Sequence, residues 1–121
     1  MAGTRLSIRI DLENGDRIGP GKIALLEAIR ASGSISAAAR TLGMSYRRAW
    51  LLVEEVNQAL REPAVAAATG GRRGGGAVVT PAGEQLVGHY RTIESHVRSA
   101  AGGEFRAIGK LMRPDGGRAK A

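Results

Sequence analysis

Arg47 and Arg48 stand just behind a serine, in the segment Ser45-Tyr46-Arg47-Arg48-Ala49-Trp50. A guanidinium presents a planar fork of N–H donors that matches the O6 and N7 acceptors of guanine, and it also grips phosphate. Serine is a preferred helix N-cap, so this order predicts both arginines in the first turn of a helix. Leu51 comes one turn after Arg47 on the same face, where an apolar side chain among polar neighbours can meet thymine methyls or a second subunit. A second basic pair lies in Gly70-Gly71-Arg72-Arg73-Gly74-Gly75-Gly76. Glycines there let the backbone approach a sugar-phosphate surface while Arg72 and Arg73 reach phosphates or the minor groove. The run is not a nucleotide P-loop, because the Lys-Ser/Thr pair is missing and no helix begins directly after it.

Other chemistries find little support. There is no cysteine, which removes disulfides, thiolate nucleophiles and thiolate zinc sites together. His89 and His96 are the only histidines. Seven residues along one helix separate them by ~10 Å, too far to hold one metal. Glu54, Glu55 and Glu94 fall on helical segments without a nucleophile, base and orienting group that could be assembled around them. No enzyme activity, metal or cofactor is expected. Lys and Arg number 18 against 11 acidic residues, a net charge of +7, which favours a polyanionic partner. No apolar run is long enough for a membrane span and no signal peptide is visible, so the expectation is a cytoplasmic protein without a membrane partner.

The elements that must position these groups follow from periodicity. Leu6, Ile8, Ile10 and Leu12 alternate with polar residues, and Asn14-Gly15 supplies a turn, predicting an N-terminal β-hairpin closed by a two-residue turn and returning over Asp16 to Ile18. Lys22 to Ala31 sets Leu25, Leu26 and Ile29 on one helical face after Pro20. Ser36 is expected to cap a short second helix ending at Leu42, with Gly43 left-handed behind it. Ser45 is expected to cap a third running to about Leu60, stopped by Glu62-Pro63. Ala49, Val53, Val56 and Leu60 then face inward, and Arg47, Arg48, Leu51, Glu55 and Gln58 outward. A short helix, a glycine turn and a longer helix with a basic start make a helix-turn-helix, with Ser34, Ser36 and Ser45 beside the phosphates and Tyr46, Arg47, Arg48 and Leu51 toward the bases.

Residues 64–80 are expected to form a wing, a hairpin with the basic glycine run at its tip. Pro81 opens a fourth helix over 81–102, where Ala82, Leu86, Tyr90, Ile93, Val97 and Ala101 keep helical spacing until Gly102-Gly103 stops it. That helix exceeds the needs of one small core, so Leu86, Tyr90, Ile93 and Val97 are expected to serve dimerisation as well as packing. The fold class is thus mainly α with small β: a winged helix-turn-helix over 1–103, three helices within 19–62, and a basic, partly disordered tail over 104–121. The core must be mostly aliphatic, aromatics being 3% of residues.

From Leu25 to Gly83 the sequence resembles the DNA-binding domain of the ModE family of molybdate-responsive regulators, itself similar to the LysR-type helix-turn-helix. The segments that carry the likeness are Leu-Leu-Glu-Ala-Ile (25–29), Gly-Ser-Ile-Ser-Ala-Ala-Ala-Arg (33–40), Leu-Gly-Met-Ser-Tyr-Arg-Arg-Ala-Trp (42–50), Thr-Gly-Gly-Arg-Arg-Gly-Gly-Gly-Ala (69–77) and Val-Thr-Pro-Ala-Gly (79–83). The resemblance implies that Ser45 to Arg48 open the recognition helix, that Trp50 and Asn57 are structural, that residues 69–80 form the wing, and that the fourth helix dimerises. It departs at Ala66-Ala67-Ala68, where such regulators commonly carry larger or basic side chains. Full-length members carry C-terminal oxyanion-binding domains, whereas this sequence ends at Ala121. The expectation is a sequence-specific, double-stranded-DNA-binding transcriptional regulator of the ModE type without those domains, working as a homodimer with a separate effector-sensing protein. The alternative is a protein-interaction or oxyanion-binding module on the same scaffold.

Overall fold

Alternation at the N-terminus is legible as burial in the computed structural model, which describes residues 5–68 and 76–114: Leu6, Ile8, Ile10 and Leu12 are half-buried, and Ser7, Arg9 and Asp11 are exposed. Only two residues on each side pair regularly, in β1 (Ile10–Asp11) and β2 (Arg17–Ile18). Ile10 lies opposite Ile18 and Asp11 opposite Arg17. The loop differs from the expected two-residue turn. Gly15 donates to the Leu12 carbonyl at 2.9 Å and Leu12 to that of Asp16 at 2.7 Å, leaving three residues in the loop. Gly15 alone takes a positive φ, +95°, and Asn14 instead accepts from the Asp16 amide through its side chain. One left-handed glycine after an ordinary turn closes a three-residue hairpin and does not require Asn14 to adopt a strained angle.

Gly19 precedes α1 (Pro20–Ser32), with proline in the first turn, where its missing N–H costs nothing. Gly33 ends it at φ 73°. With Gly33 left-handed, Ser34 becomes the extended residue that caps α2 (Ile35–Leu42), and its Oγ accepts from the Ala37 amide at 3.1 Å. Ser36, expected as the cap, sits inside the first turn with its hydroxyl 3.2 Å from that of Ser34. Gly43 closes α2 at φ 71°, and Met44 donates back to Ala39 at 3.0 Å. Three residues then suffice to reach α3 (Tyr46–Ala59).

After α3 come β3 (Val65–Ala68) and β4 (Gly76–Val79), antiparallel with Val65 opposite Val79 and Ala68 opposite Gly76. Last is α4 (Pro81–Leu111), which kinks at Ala101, beside the expected stop, and continues beyond it. The backbone leaves helical angles once, at Ala101 (φ −111°, ψ 16°), and resumes. Gly102 and Gly103 permit a left-handed end but do not impose one, and neither has a positive φ. Residues 104–111, expected in the tail, are therefore helical, while 115–121 lie outside the described residues.

The whole is mainly helical with two small hairpins, a winged helix-turn-helix with a long final helix. Its core gathers Ile18, Ile23, Leu25, Leu26 and Ile29 with Ala38, Ala39, Ala49, Val53, Val56, Val79, Val87 and Tyr90. Small alanines where α2 and α3 meet α1 let three helices approach closely with aliphatic fill, and Tyr90 is the one aromatic ring in the core. No helix among the described residues is long and apolar enough to cross a membrane.

Candidate nucleic-acid interface

Two capped helix starts define the candidate face. Ser45 is extended, and its Oγ accepts from the Arg48 amide at 3.0 Å, so α3 begins where its cap requires. Neither α2 nor α3 has an acidic residue in its first turn. Both N-terminal ends therefore keep the positive end of the helix dipole unneutralised, an arrangement suited to an anion. The hydroxyls of Ser34 and Ser45 use an oxygen lone pair in capping.

Burial along α3 separates its faces as its periodicity predicts. Ala49, Val53 and Val56 are buried, and Arg47, Arg48, Leu51, Glu55 and Gln58 are exposed. Neither Arg47 nor Arg48 makes an ion pair among the described residues. Glu55, on the same helix, is engaged by Lys22 of α1 at 3.1 Å. Trp50 departs from the structural role that the resemblance implies, being 43% exposed. Tyr46, one turn before it, is 56% exposed and Leu51 is 42% exposed.

The root of the wing is wired to both neighbouring helices. Asn57 of α3 accepts from the amides of Ala64 (2.8 Å) and Val65 (3.1 Å) through Oδ1 and donates to the Val65 carbonyl at 3.2 Å. The Ala64 carbonyl in turn accepts from Thr80, the cap of α4, at 2.9 Å. The Thr80 hydroxyl donates to Pro63 at 2.6 Å and accepts from the Gly83 amide at 3.1 Å. On the other side, the Ala77 amide donates to the Gly33 carbonyl at 2.9 Å, tying β4 to the α1–α2 turn. Arg72 and Arg73 lie outside the described residues.

The apolar stripe of α4 divides. Tyr90 is 1% exposed and donates through its hydroxyl to the Ile8 carbonyl at 2.6 Å. It belongs to the core of the chain, which leaves it no surface for the dimer contact expected of it. Leu86 is half-buried against the same core, Val97 is half-buried, and Ile93 is exposed. Glu94, expected to carry no chemistry, is nearly buried and paired with Arg91 at 2.7 Å, and Arg91 also grips Glu27 at 2.6 Å. Those hydrogen bonds hold Glu27 below the ordinary carboxylate value and Arg91 above the ordinary guanidinium one, each against opposing desolvation. Burial pushes the Tyr90 phenol up, with Glu94 adding to it. Among the described residues no cluster of three or more His, Asp or Glu could hold a metal ion.

Set against known proteins, the chain is 54% identical over 83 residues to the molybdenum-pterin-binding protein MopB of Rhodobacter capsulatus, covering 69% of this chain and 31% of MopB. It is 35% identical over 125 aligned positions to the molybdenum transport protein ModE of Azotobacter vinelandii, covering 93% of this chain and 46% of that protein. With the dual regulator ModE of Escherichia coli K12 the identity is 46% over 71 residues, 59% of this chain and 27% of the regulator. The chain is a homologue of the ModE proteins. It spans between about a third and a half of MopB and the Azotobacter ModE. No family model matches it. Among solved structures, the DNA-binding domain of CbnR in complex with DNA shares the fold of this ModE homologue, with a TM-score of 0.55 at 19% identity, covering 73% of this chain and 94% of that one.

Proposed function

We propose that this ModE homologue is a transcriptional regulator that binds double-stranded DNA in a sequence-dependent way, with α3 in the major groove. The observation that carries this reading is an arginine pair that makes no ion pair among the described residues, on the exposed first turn of a helix whose opposite face is locked into the core. Arg47 and Arg48 read base edges; Ser34, Ser36 and Ser45, with the helix starts they flank, approach phosphates; Tyr46 and Leu51 complete the face. Arg72 and Arg73, outside the described residues, are proposed from the sequence as further phosphate contacts. The relatives' names support the regulatory role, and the fold shared with the CbnR domain supports the geometry. Two copies joined through α4, with Ile93 and Val97 at the contact, would present two recognition helices to half-sites roughly 34 Å apart or a multiple of that.

Fluorescence anisotropy on genomic duplexes at several salt concentrations tests the reading. Binding is expected to weaken with salt at a slope of about −0.9 per phosphate neutralised. Arg47→Ala with Arg48→Ala should remove the preference for selected over unrelated duplex while some salt-dependent affinity remains. Unchanged preference in the double variant defeats the base-reading assignment.

A further inference from the structure

We propose that Trp50 and Tyr46 form an aromatic shelf against the sugar-phosphate edge of duplex DNA, with the Trp50 indole N–H donating to a phosphate oxygen. This rests on the DNA-binding reading above, which already sets Tyr46 at the DNA, and adds Trp50 and a phosphate-edge placement for the pair. Residues 46, 50, 53 and 57 recur at steps of four, three and four, so they occupy one strip along α3. At its C-terminal end the strip is covered: Asn57 is bonded to the start of β3 and Val53 is 5% exposed. Toward the N-terminus it emerges from the core, where Trp50 and Tyr46 are 43% and 56% exposed.

An indole left in water forfeits the burial that makes tryptophan a common anchor of interfaces. Its Nε1 is a donor only, and it donates no hydrogen bond among the described residues, its neighbours' side-chain bonds being those of Ser45 and Asn57. Charge selects the occupant. Arg47 stands beside the strip and Arg48 further round the same first turn, both without ion pairs among the described residues; that turn carries no acid, and the chain is +7. A polyanion that offers acceptors without donors, and flat sugars beside them, matches both the N–H and the rings. An acidic protein surface is the competing occupant, and the test separates it.

Trp50 is the only tryptophan of the chain, so its emission reports on this position alone. The full chain is titrated at low salt with an unlabelled mixed-sequence duplex of about 30 base pairs, long enough for two half-sites. In the free protein acrylamide should quench the emission readily, and saturation with duplex should lower the quenching constant by about twofold or more as the ring is covered. Trp50→Phe keeps a ring and loses the donor, and it should weaken binding about tenfold, with Trp50→Ala worse. The loss should be equal on selected and unrelated duplexes, because phosphates carry no sequence, which sets it apart from loss of Arg47. Circular dichroism melts should place both variants within a few degrees of the parent.

If the parent binds duplex by anisotropy but neither quenching nor Trp50→Phe affinity responds, the shelf is refuted and the DNA-binding reading stands. A tryptophan already shielded in the free chain refutes it too, since the strip is then covered by the protein itself. If the parent binds no duplex at any salt, the DNA-binding reading fails and the shelf with it. Shielding produced only by an acidic protein would assign the strip to that partner.

Discussion

Asn57→Ala removes three hydrogen bonds at the place where α3, the wing and α4 meet. The two amides it satisfies belong to Ala64, fully buried, and Val65, 6% exposed, so water replaces the lost acceptor poorly. Leaving one buried amide unsatisfied costs about 1–3 kcal/mol, and two neighbours sharing one acceptor relax together, so the expected loss is about 2–4 kcal/mol. In a domain of this size each kilocalorie lowers Tm by roughly 4–8 °C, so Tm should fall by roughly 8–30 °C. Thermal and urea unfolding by circular dichroism measure this, and amide hydrogen exchange localises it. Ala64 and Val65 should lose protection first, followed by Thr80, which bonds to the Ala64 carbonyl. Asn57→Asp keeps an acceptor for both amides and sets a carboxylate oxygen against the Val65 carbonyl, so it should fall between parent and Asn57→Ala. A drop below roughly 3 °C for Asn57→Ala, or unchanged exchange at both amides, refutes the view that this side chain carries the joint.

Four further outcomes follow from neighbouring geometry. Gly83→Ala would put a Cβ within 2.4 Å of the Ala64 carbonyl oxygen and 2.7 Å of Val79, forcing backbone to move, so it should cost about 3 kcal/mol in urea unfolding. Gly88→Ala on the same helix meets nothing within 4 Å and should instead gain up to about 1 kcal/mol. Tyr90→Phe retains the buried ring and loses only the bond to Ile8, for about 1 kcal/mol by the same measurement. Glu27 has a folded pKa below its ordinary value of 4.5, chiefly through its hydrogen bonds with Arg91, so its contribution is present above about pH 4.5 and is lost as pH falls through the lower folded value. Arg91 is 42% exposed, and solvent screening limits that contribution to about 1 kcal/mol; stability against pH should lose part of its acid limb in Glu27→Gln.

The elements whose signals are local were legible in the sequence. Ser45 and Gly43 mark the turn before α3 because capping and a left-handed stop are properties of single residues, and the order of helices and strands follows from period alone. Where two residues competed for one role, the chain context decided. Ser34 caps α2 because Gly33, left-handed, ends α1 immediately before it, and Ser36 shares the local hydroxyl network instead. Gly102-Gly103 reads as a stop, yet glycine only lowers helix propensity, and the helix resumes after one non-helical residue at Ala101. Long-range choices were illegible for a different reason. Tyr90 has helical spacing with Ile93, but its hydroxyl meets Ile8, 82 residues away, and spacing on one helix does not reveal which face a distant strand will cover. Trp50 likewise shares a strip with the buried Val53, and only the end of the covering element shows that the strip is open there.

The distribution of paired charge bears on how a small chain keeps the first turn of α3 cationic. Every ion pair among the described residues lies at the start of β1 or involves α1 or α4: Arg9 with Asp11, Lys22 with Glu55, Arg30 with Glu84, and Arg91 with Glu27 and Glu94. Glu55 is the instructive member, because it stands two turns after Arg48 on the exposed side of α3 and would oppose a phosphate there. Lys22, itself held by the Arg17 carbonyl at 2.8 Å, draws that carboxylate toward α1 and offsets it. Such exposed pairs add little to stability, about 0–1 kcal/mol each. Their larger effect is on the field. Glu27 of α1, Glu84 and Glu94 of α4 and Glu55 of α3 are each matched by a nearby cation, while Glu54 of α3 and Glu104 of α4 are in none of these ion pairs, so the first turn of α3 keeps the unopposed positive charge of Arg47 and Arg48.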